Sequence, residues 1–155
     1  MSEKYHIEVQ VEEHVGPVDT QSIDDAVRLT LLHQRVEDAS EVVIVISDDD
    51  ALEDLNRRFR GVARPTDVLS FAQEMAGTFH GARVLGDIVI SLETVERYCA
   101  GDRTAMRGEV RLLFCHGMLH LLGYTHETPV GQREMNEKQA QYLGLSTQAA
   151  WHLGR

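Results

Sequence analysis

The 155-residue chain has few of the residues that stiffen or cross-link small proteins, with only two cysteines and three prolines. Two cysteines are too few for a disulfide scaffold. Long apolar runs are also missing, because the most apolar segment, 110–122, is short and carries an arginine and two histidines. The N-terminus shows no apolar run behind a basic start, so we expect no signal peptide. Together these absences predict a cytoplasmic protein without a membrane segment.

The chain also has few positively charged residues, with 15 Lys and Arg against 25 Asp and Glu and a formal net charge of −10. Such a balance argues against broad binding to nucleic acid. The basic residues are unevenly distributed, however, and four arginines fall within eight residues: Arg57, Arg58, Arg60 and Arg64. This basic edge can hold a phosphate, and a solvated helix face explains it equally well.

The remaining composition is that of a folded globular protein, with 43% apolar and 26% charged residues. The length predicts one domain over residues 1–155. Apolar alternation and β-branched runs predict strands at 5–11, 41–47, 66–71 and 84–91. Helical periodicity and capping residues predict helices at 22–39, 51–60, 92–100, 104–122 and 132–143. Mixed hairpin and crossover connections predict one mixed sheet with packed helices, an α+β fold.

Several local features can be checked against a structure. The apolar stripe of the helix at 51–60 is expected to face the core, and its members are Leu52, Leu55 and Phe59. Gly86, inside a strand, predicts a bulge or a close approach of another group. Thr104 is a candidate cap for the long helix, and Pro129 is expected in a loop. The tail after residue 143 is expected to be loosely attached.

The strongest chemical signal is the segment 111–126, RLLFCHGMLHLLGYTH. His116 and His120 are four residues apart, which places them one turn apart on the same face of a helix. Gly123 permits the left-handed turn that reverses the chain, and His126 follows three residues later. Three neutral imidazole nitrogens suit zinc and leave a fourth position open for water. The sequence therefore predicts a zinc site on these three histidines.

Chance pairing is the alternative, because the chain contains eight histidines. The surrounding helix is apolar on nearly every side, however, so it should be buried, and buried imidazoles need partners. Cys115 is expected to be a small core residue rather than a ligand. A zinc peptidase of this spacing has glutamate where this chain has Gly117, which disfavours peptide hydrolysis. Glu127 could replace that base only if it turned inward, and we expect it to be exposed.

The segment HGMLHLLGYTHE at 116–127 resembles the signature of the YbeY family, bacterial single-strand-specific endoribonucleases that act in ribosomal RNA maturation. Three further features agree: LNRRFRGVARPTDVLSF at 55–71, LGDIVIS at 85–91, and Met135 with Gln139 in the last helix. The resemblance implies a zincin-like α+β fold, with one mixed sheet of about four strands and about five packed helices.

The resemblance also implies roles for individual residues. His116, His120 and His126 would bind one zinc ion, and His116 and Arg60 would be catalytic, with Arg60 as the functional arginine of the LNxxxR segment. The implied activity is metal-dependent cleavage of single-stranded RNA in 16S rRNA 3′-end maturation and ribosome quality control, with the small ribosomal subunit as partner and no DNA expected. One position departs from the family pattern: Thr125 replaces an aspartate that could orient a metal ligand.

Several alternatives stay open at this point. Arg60 would bind the scissile phosphate, as the fork of a guanidinium favours, whereas the neighbouring arginines guide the RNA backbone or are simply solvated. The nucleophile is either zinc-bound hydroxide or the 2′-OH of the RNA. The acidic net charge predicts weak binding of free RNA and dependence on a partner. Two other classes remain: a metallohydrolase of a peptide or small molecule, and a non-catalytic ribosome assembly factor with structural zinc.

Overall fold

The computed structural model describes residues 5–16, 18–72, 78–79 and 82–150. The strands are β1 (His6–Val11), β2 (Ser40–Ser47), β3 (Val68–Ala72), β4 (Thr78–Phe79) and β5 (Ala82–Ser91). The helices are α1 (Thr20–His33), α2 (Asp49–Arg60), α3 (Leu92–Tyr98), α4 (Arg103–Leu121) and α5 (Pro129–Leu143), with a 3-10 turn at Glu13–Val15. Over these ranges, no helix is both long and apolar enough to cross a bilayer.

All five strands form one sheet, in the order β1-β2-β5-β3, with the short β4 also paired to β5. β2 runs parallel to β1 and to β5, whereas β3 is antiparallel to β5. β2 is therefore central, as its β-branched sequence predicts. The arrangement confirms the predicted α+β class with a mixed sheet and five α-helices.

The strand pairing is interrupted at Gly86, as predicted. Glu41 pairs with Val84 and the next residue, Val42, pairs with Gly86, so one residue of β5 is left over as a bulge. A Cβ atom at Gly86 would lie 2.2 Å from the backbone oxygen of Phe71 and 3.0 Å from the side chain of Leu121 in α4. The glycine therefore allows β3, β5 and the end of α4 to approach closely.

Helices cover the two faces of the sheet. On one face, Ile88 and Ile90 of β5 belong to the same buried cluster as Phe114 and Met118 of α4. On the other, Val89 packs with residues of α2 and β3, since alternate strand residues point to opposite faces: the buried members of that cluster are Leu52, Leu69 and Val89. Helices α4 and α2 consequently lie on opposite sides of the sheet.

Helix boundaries differ from the predictions, most of all in α1 and α5, and the cap of α4 differs too. α1 begins at Thr20 with Asp19 as its cap and ends at His33, because Arg35 adopts a positive φ of 54°. The cap of α4 is Asp102, whose carboxylate accepts from two backbone N–H groups, and not Thr104. α5 begins at Pro129, which was expected in a loop, because proline fits the first helical position, where no N–H group is needed.

Two packing predictions are wrong. Phe59 does not face inward: it is 64% exposed, and its ring contacts the ring of Phe71 with 5.1 Å between the centroids. The tail is not loose as far as residue 150. Ala150 is fully buried, and the backbone oxygens of Thr147 and Ala150 accept hydrogen bonds from Asn136 and Gln139 of α5.

Candidate metal centre

The C-terminal half of α4 and the turn after it bring the three predicted histidines into one group. The helix ends at Leu121, and Gly123 has a φ of 101°, which reverses the chain as expected. The Nε2 atoms of His116 and His120 are 3.0 Å apart, and one ring nitrogen from each histidine of the group lies within 4.8 Å of the others. His116 is 4% exposed, whereas His120 and His126 are half-buried, so the group opens toward solvent on one side.

The proton positions on His116 are fixed by a buried glutamine. Gln139 donates from Nε2 to the backbone oxygen of Ala150 at 2.9 Å, and a carbonyl oxygen can only accept. The other amide atom, Oε1, therefore faces His116 Nδ1 at 2.8 Å. Because Oε1 is an acceptor only, Nδ1 of His116 must carry the proton and Nε2 presents a lone pair.

His120 is fixed in the same way. Its Nδ1 lies 3.1 Å from the backbone oxygen of Tyr124 and must donate to it. With both rings neutral, two Nε2 lone pairs then face each other at 3.0 Å, which a cation between them would relieve. Tetrahedral zinc with Zn–N bonds of about 2.0–2.1 Å separates its nitrogen ligands by about 3.3 Å, close to this spacing. The donor set therefore fits a metal ion.

The loop that carries His126 is held by α5. Gln132 donates from its side chain to the backbone oxygen of His126 at 3.0 Å. Thr125 is exposed, and its hydroxyl accepts from the backbone N–H of Glu127 at 3.2 Å, so it shapes the turn. A Cβ atom at Gly131 would lie 2.2 Å from the backbone oxygen of Thr125, so the glycine lets the loop pack directly on the first turn of α5.

Gly117 faces the sheet and not the histidine group. A Cβ atom there would lie 2.7 Å from Ile88 Cγ2 and 2.9 Å from Ser70 Oγ, and Ser70 donates to the backbone oxygen of Gly117 at 3.3 Å. A glutamate at this position would not fit, and Glu127 is exposed as expected. Within the described ranges, the group that could hold a metal contains no carboxylate.

Arg60 is the last residue of α2, and its side chain is exposed. Over the described part of the chain, the guanidinium groups of Arg60 and Arg64 make no hydrogen bond or ion pair. Arg57 and Arg58, by contrast, both bind the carboxylate of Asp54, at 2.7 and 2.5 Å. The basic edge recognised in the sequence thus divides into a paired half and an unpaired half.

The structure does not place Arg60 in contact with the histidines, but it puts both at one end of the sheet. The turn of α2 that carries Arg60 packs through Phe59 on Phe71 of β3. The backbone oxygen of Phe71 borders Gly86, and Gly86 also borders Leu121, the neighbour of His120. Since α2 and α4 cover opposite faces, the edge strand β3 separates the arginine from the histidines.

Cys115 lies beside His116 in sequence and is a core residue, as expected. It is fully buried and lies 3.5 Å from the hydroxyl of Thr30. Burial raises the pKa of its thiol to about 11. A neutral, buried thiol that is not part of the group that could hold a metal is a packing group and not a metal ligand.

Helix-borne histidines packed against a mixed sheet, with a third histidine after a glycine turn, are the features of a zincin-like α+β protein with a candidate metal site. A family model described as "Endoribonuclease YbeY" matches residues 7–146. The chain belongs to the YbeY endoribonuclease family, as its sequence resemblance predicted.

Individual relatives agree with this assignment. A protein named endoribonuclease YbeY from Roseiflexus sp. (strain RS-1) is 41% identical over 138 residues, which are 83% of this chain and 86% of the relative. The protein of the same name from Moorella thermoacetica is 41% identical over 111 residues, 67% of this chain and 71% of the relative. The solution structure of a Thermotoga maritima protein matches with a TM-score of 0.59 at 26% identity, covering 94% of this chain and 89% of that one.

Proposed function

We propose that this protein is a metal-dependent endoribonuclease that cleaves single-stranded RNA during 16S rRNA 3′-end maturation and ribosome quality control. The observation that carries the proposal is the histidine group itself. The Nδ1 atoms of His116 and His120 are engaged in hydrogen bonds, so the Nε2 lone pairs of both rings are directed at the same point. The chain that carries this group belongs to an endoribonuclease family. We further expect the function to reside in a single domain over residues 1–155.

Zinc is the metal we propose, held by His116, His120 and His126. Three imidazole nitrogens without a thiolate or carboxylate suit this ion, and the open side of the group leaves room for substrate. When bound, zinc supplies a Lewis acid that polarises a phosphoryl oxygen. The protein holds the ligands in place through Gln139, the Tyr124 carbonyl and Gln132.

Arg60 is proposed to bind the RNA phosphate next to the bond that is cleaved. Its guanidinium is exposed and unpaired over the described residues, so no ion pair has to be broken before it can grip a phosphate. Because the arginine and the histidines flank β3 from opposite faces, the RNA strand would pass around this sheet edge. A flexible single strand can take such a path more easily than a duplex can.

The net charge of −10 shapes the proposal for a partner. An acidic protein binds free RNA weakly even though Arg60 and Arg64 of its basic edge are unpaired over the described residues, because phosphate contacts supply most of the affinity. We therefore propose that the small ribosomal subunit, in the cytoplasm, presents the RNA strand to the enzyme. The alternatives are not favoured: position 117 has no space for the base of a peptidase, and a purely structural zinc site is usually closed by a fourth ligand.

The test is cleavage of one labelled RNA by the purified, zinc-loaded protein, with the RNA single-stranded or annealed to its complement, and with or without small ribosomal subunits. We expect cleavage of the single strand, little cleavage of the duplex, and faster cleavage when the strand is part of the subunit. His116→Ala should abolish cleavage of the single strand, both free and in the subunit. Product ends identify the nucleophile, since a 2′,3′-cyclic phosphate means that the 2′-OH attacked. Efficient duplex cleavage at high salt without ribosomes would contradict the proposal.

A further inference from the structure

Gln139 is the most deeply buried polar side chain at the histidine group, with 2% of its surface exposed. It lies on α5, on the same face as the buried Met135 and Tyr142, which pack against α4. An uncharged amide in this apolar setting must satisfy both its donor and its acceptor, since an unmet polar group in the core is costly. Its two partners show what the residue does.

The amide joins two parts of the molecule that are distant in sequence. Oε1 accepts from Nδ1 of His116 at 2.8 Å, and Nε2 donates to the backbone oxygen of Ala150 at 2.9 Å. Ala150 is fully buried, so its carbonyl holds the amide in one orientation and prevents a flip that would offer an N–H group to His116. The segment after α5 thereby determines which ring nitrogen of His116 carries the proton.

We infer that Gln139 is a positioning residue for the metal ligand His116, and that the chain segment 144–150 is required because it orients the Gln139 amide. The inference rests on the proposed metal site. A ligand imidazole that donates through its second nitrogen is fixed in tautomer and ring orientation, and loss of such a partner typically costs about 10–100-fold in metal affinity. The same link predicts that zinc binding stabilises the docking of segment 144–150, because coupling between two sites is reciprocal.

The test compares zinc dissociation constants, measured by competition with a chromogenic chelator, for variants of the full-length protein. Gln139→Met has nearly the same volume and no hydrogen-bonding amide, and we expect its zinc affinity to fall by about 10–100-fold. Gln139→Glu keeps an oxygen acceptor toward Nδ1 of His116, and we expect its affinity to stay within about threefold of wild type.

Asn136→Ala is the matched control. Asn136 lies one turn before Gln139 on α5 and donates to the backbone oxygen of Thr147 in the same segment at 3.0 Å, but it makes no hydrogen bond to the histidines among the described residues. We expect this variant to be less stable to urea but to keep nearly the zinc affinity of wild type, because the segment stays docked through the hydrogen bond from Gln139 to Ala150, which orients the amide. A loss of affinity as large as that of Gln139→Met would show that general packing of the segment matters and not the amide.

A second measurement separates positioning from packing. In metal-free protein, ¹⁵N–¹H correlation spectra of the imidazoles report the tautomer of His116 directly. We expect the Nδ1–H form in wild type and in Gln139→Glu, and a mixture of tautomers in Gln139→Met. Unchanged zinc affinity and an unchanged tautomer in Gln139→Met would overturn the inference. A wild type that binds no zinc would overturn the proposed metal site too, and this outcome is visible before any variant is compared.

Discussion

The C-terminal ends of α4 and α2 both carry residues proposed to act on RNA, but the two helices hold them differently. On α4, His116 is buried, and its Nδ1 donates to the buried side-chain amide of Gln139. His120 donates from its Nδ1 to the backbone oxygen of Tyr124. On α2, Arg60 is exposed and has no partner over the described residues. The fold therefore sets the orientation of the histidine rings. The conformation of the Arg60 side chain, by contrast, would be set only when a phosphate binds to it.

This difference follows from the chemistry expected of each group. A metal ion is bound at distances near 2 Å and from fixed directions. Hydrogen bonds that hold its ligands rigidly in those directions therefore raise the affinity for the metal. An arginine that binds a mobile RNA backbone needs a side chain that can move to reach the phosphate. An exposed ion pair on this arginine would add little to stability and would compete with the phosphate. Substitutions on the two helices should accordingly differ in what they change: metal content and stability on α4, substrate handling on α2.

The largest effect is expected from His120→Ala. Removing one of the three proposed zinc ligands should leave the purified protein with far less than one zinc per chain by elemental analysis. RNA cleavage should fall by about 1,000-fold, since a catalytic metal contributes several kcal/mol and each 1.4 kcal/mol is a factor of ten. His6→Ala, an exposed histidine of β1, is the control and should change neither quantity. Stoichiometric zinc in His120→Ala would mean that the ion is bound elsewhere.

The next largest effect is expected from Arg60→Ala, with Arg57→Ala as its matched control. The two variants test whether the unpaired arginine at the end of α2 acts on the substrate and leaves the metal site unchanged. Arg60 is unpaired, so its loss should lower cleavage by about 100-fold, the effect of removing one charge-stabilising donor. Arg57 is already bound to Asp54, so its loss should change cleavage by less than about threefold. Both side chains are exposed, and zinc content and urea midpoint should stay at wild-type values. Equal losses from the two variants would favour a general basic surface over a specific phosphate contact.

Local sequence patterns predicted most of the histidine group, because its geometry is local. The i,i+4 spacing and the turn glycine specify where the three rings meet, and the structure brings them together at that point. Gln139 could not be assigned a role in this way, since its contact with His116 spans 23 residues and its orientation depends on Ala150. Its one local signal is a polar residue on the apolar stripe of α5.

The errors in the fold have the same origin. The spacing of Leu52, Leu55 and Phe59 describes one helix face correctly, but the sequence does not say where the sheet beneath that face ends. Pro129 was expected in a loop, although proline also begins helices, and only the Thr128 cap hydrogen bond decides between these. The tail was expected to be loose because local patterns do not reveal the side-chain amides of Asn136 and Gln139, which donate to its backbone oxygens.

A medium effect, on stability alone, is expected from Gly117→Ala against Gly108→Ala in the same helix. A methyl group at 117 would meet Ile88 at 2.7 Å, so we expect unfolding to become easier by about 1–3 kcal/mol through overpacking. A methyl group at 108 meets nothing within 4 Å, and removing a helical glycine should stabilise by about 0.5–1 kcal/mol. Urea unfolding of the metal-free proteins measures both values. Equal shifts would show that α4 does not need its close approach to the sheet.

The smallest effect concerns the N-terminus of α2, where His14 pairs with the cap residue Asp48. The hydrogen bond to Asp48, and then its charge, raise the pKa of His14 above the ordinary 6.5 against the opposing effect of burial. The backbone N–H of Ala51, followed by His14, lowers the pKa of Asp48. Because the folded pKa of His14 is raised, its stabilising contribution is complete below the unfolded pKa and is lost as the pH rises through the folded one.

Asp48→Ser tests this pair, because serine can still cap the helix but carries no charge. We expect the His14 pKa, followed by NMR titration of the imidazole C–H signals, to move back toward 6.5, with helix content unchanged by circular dichroism. A His14 pKa that stayed raised in the variant would assign the shift to Glu12 and Glu93 instead. A return toward 6.5 would show that Asp48, at the start of α2, raises the pKa of His14. This exposed pair would then contrast with the histidines of α4, whose proton positions are set by buried hydrogen bonds.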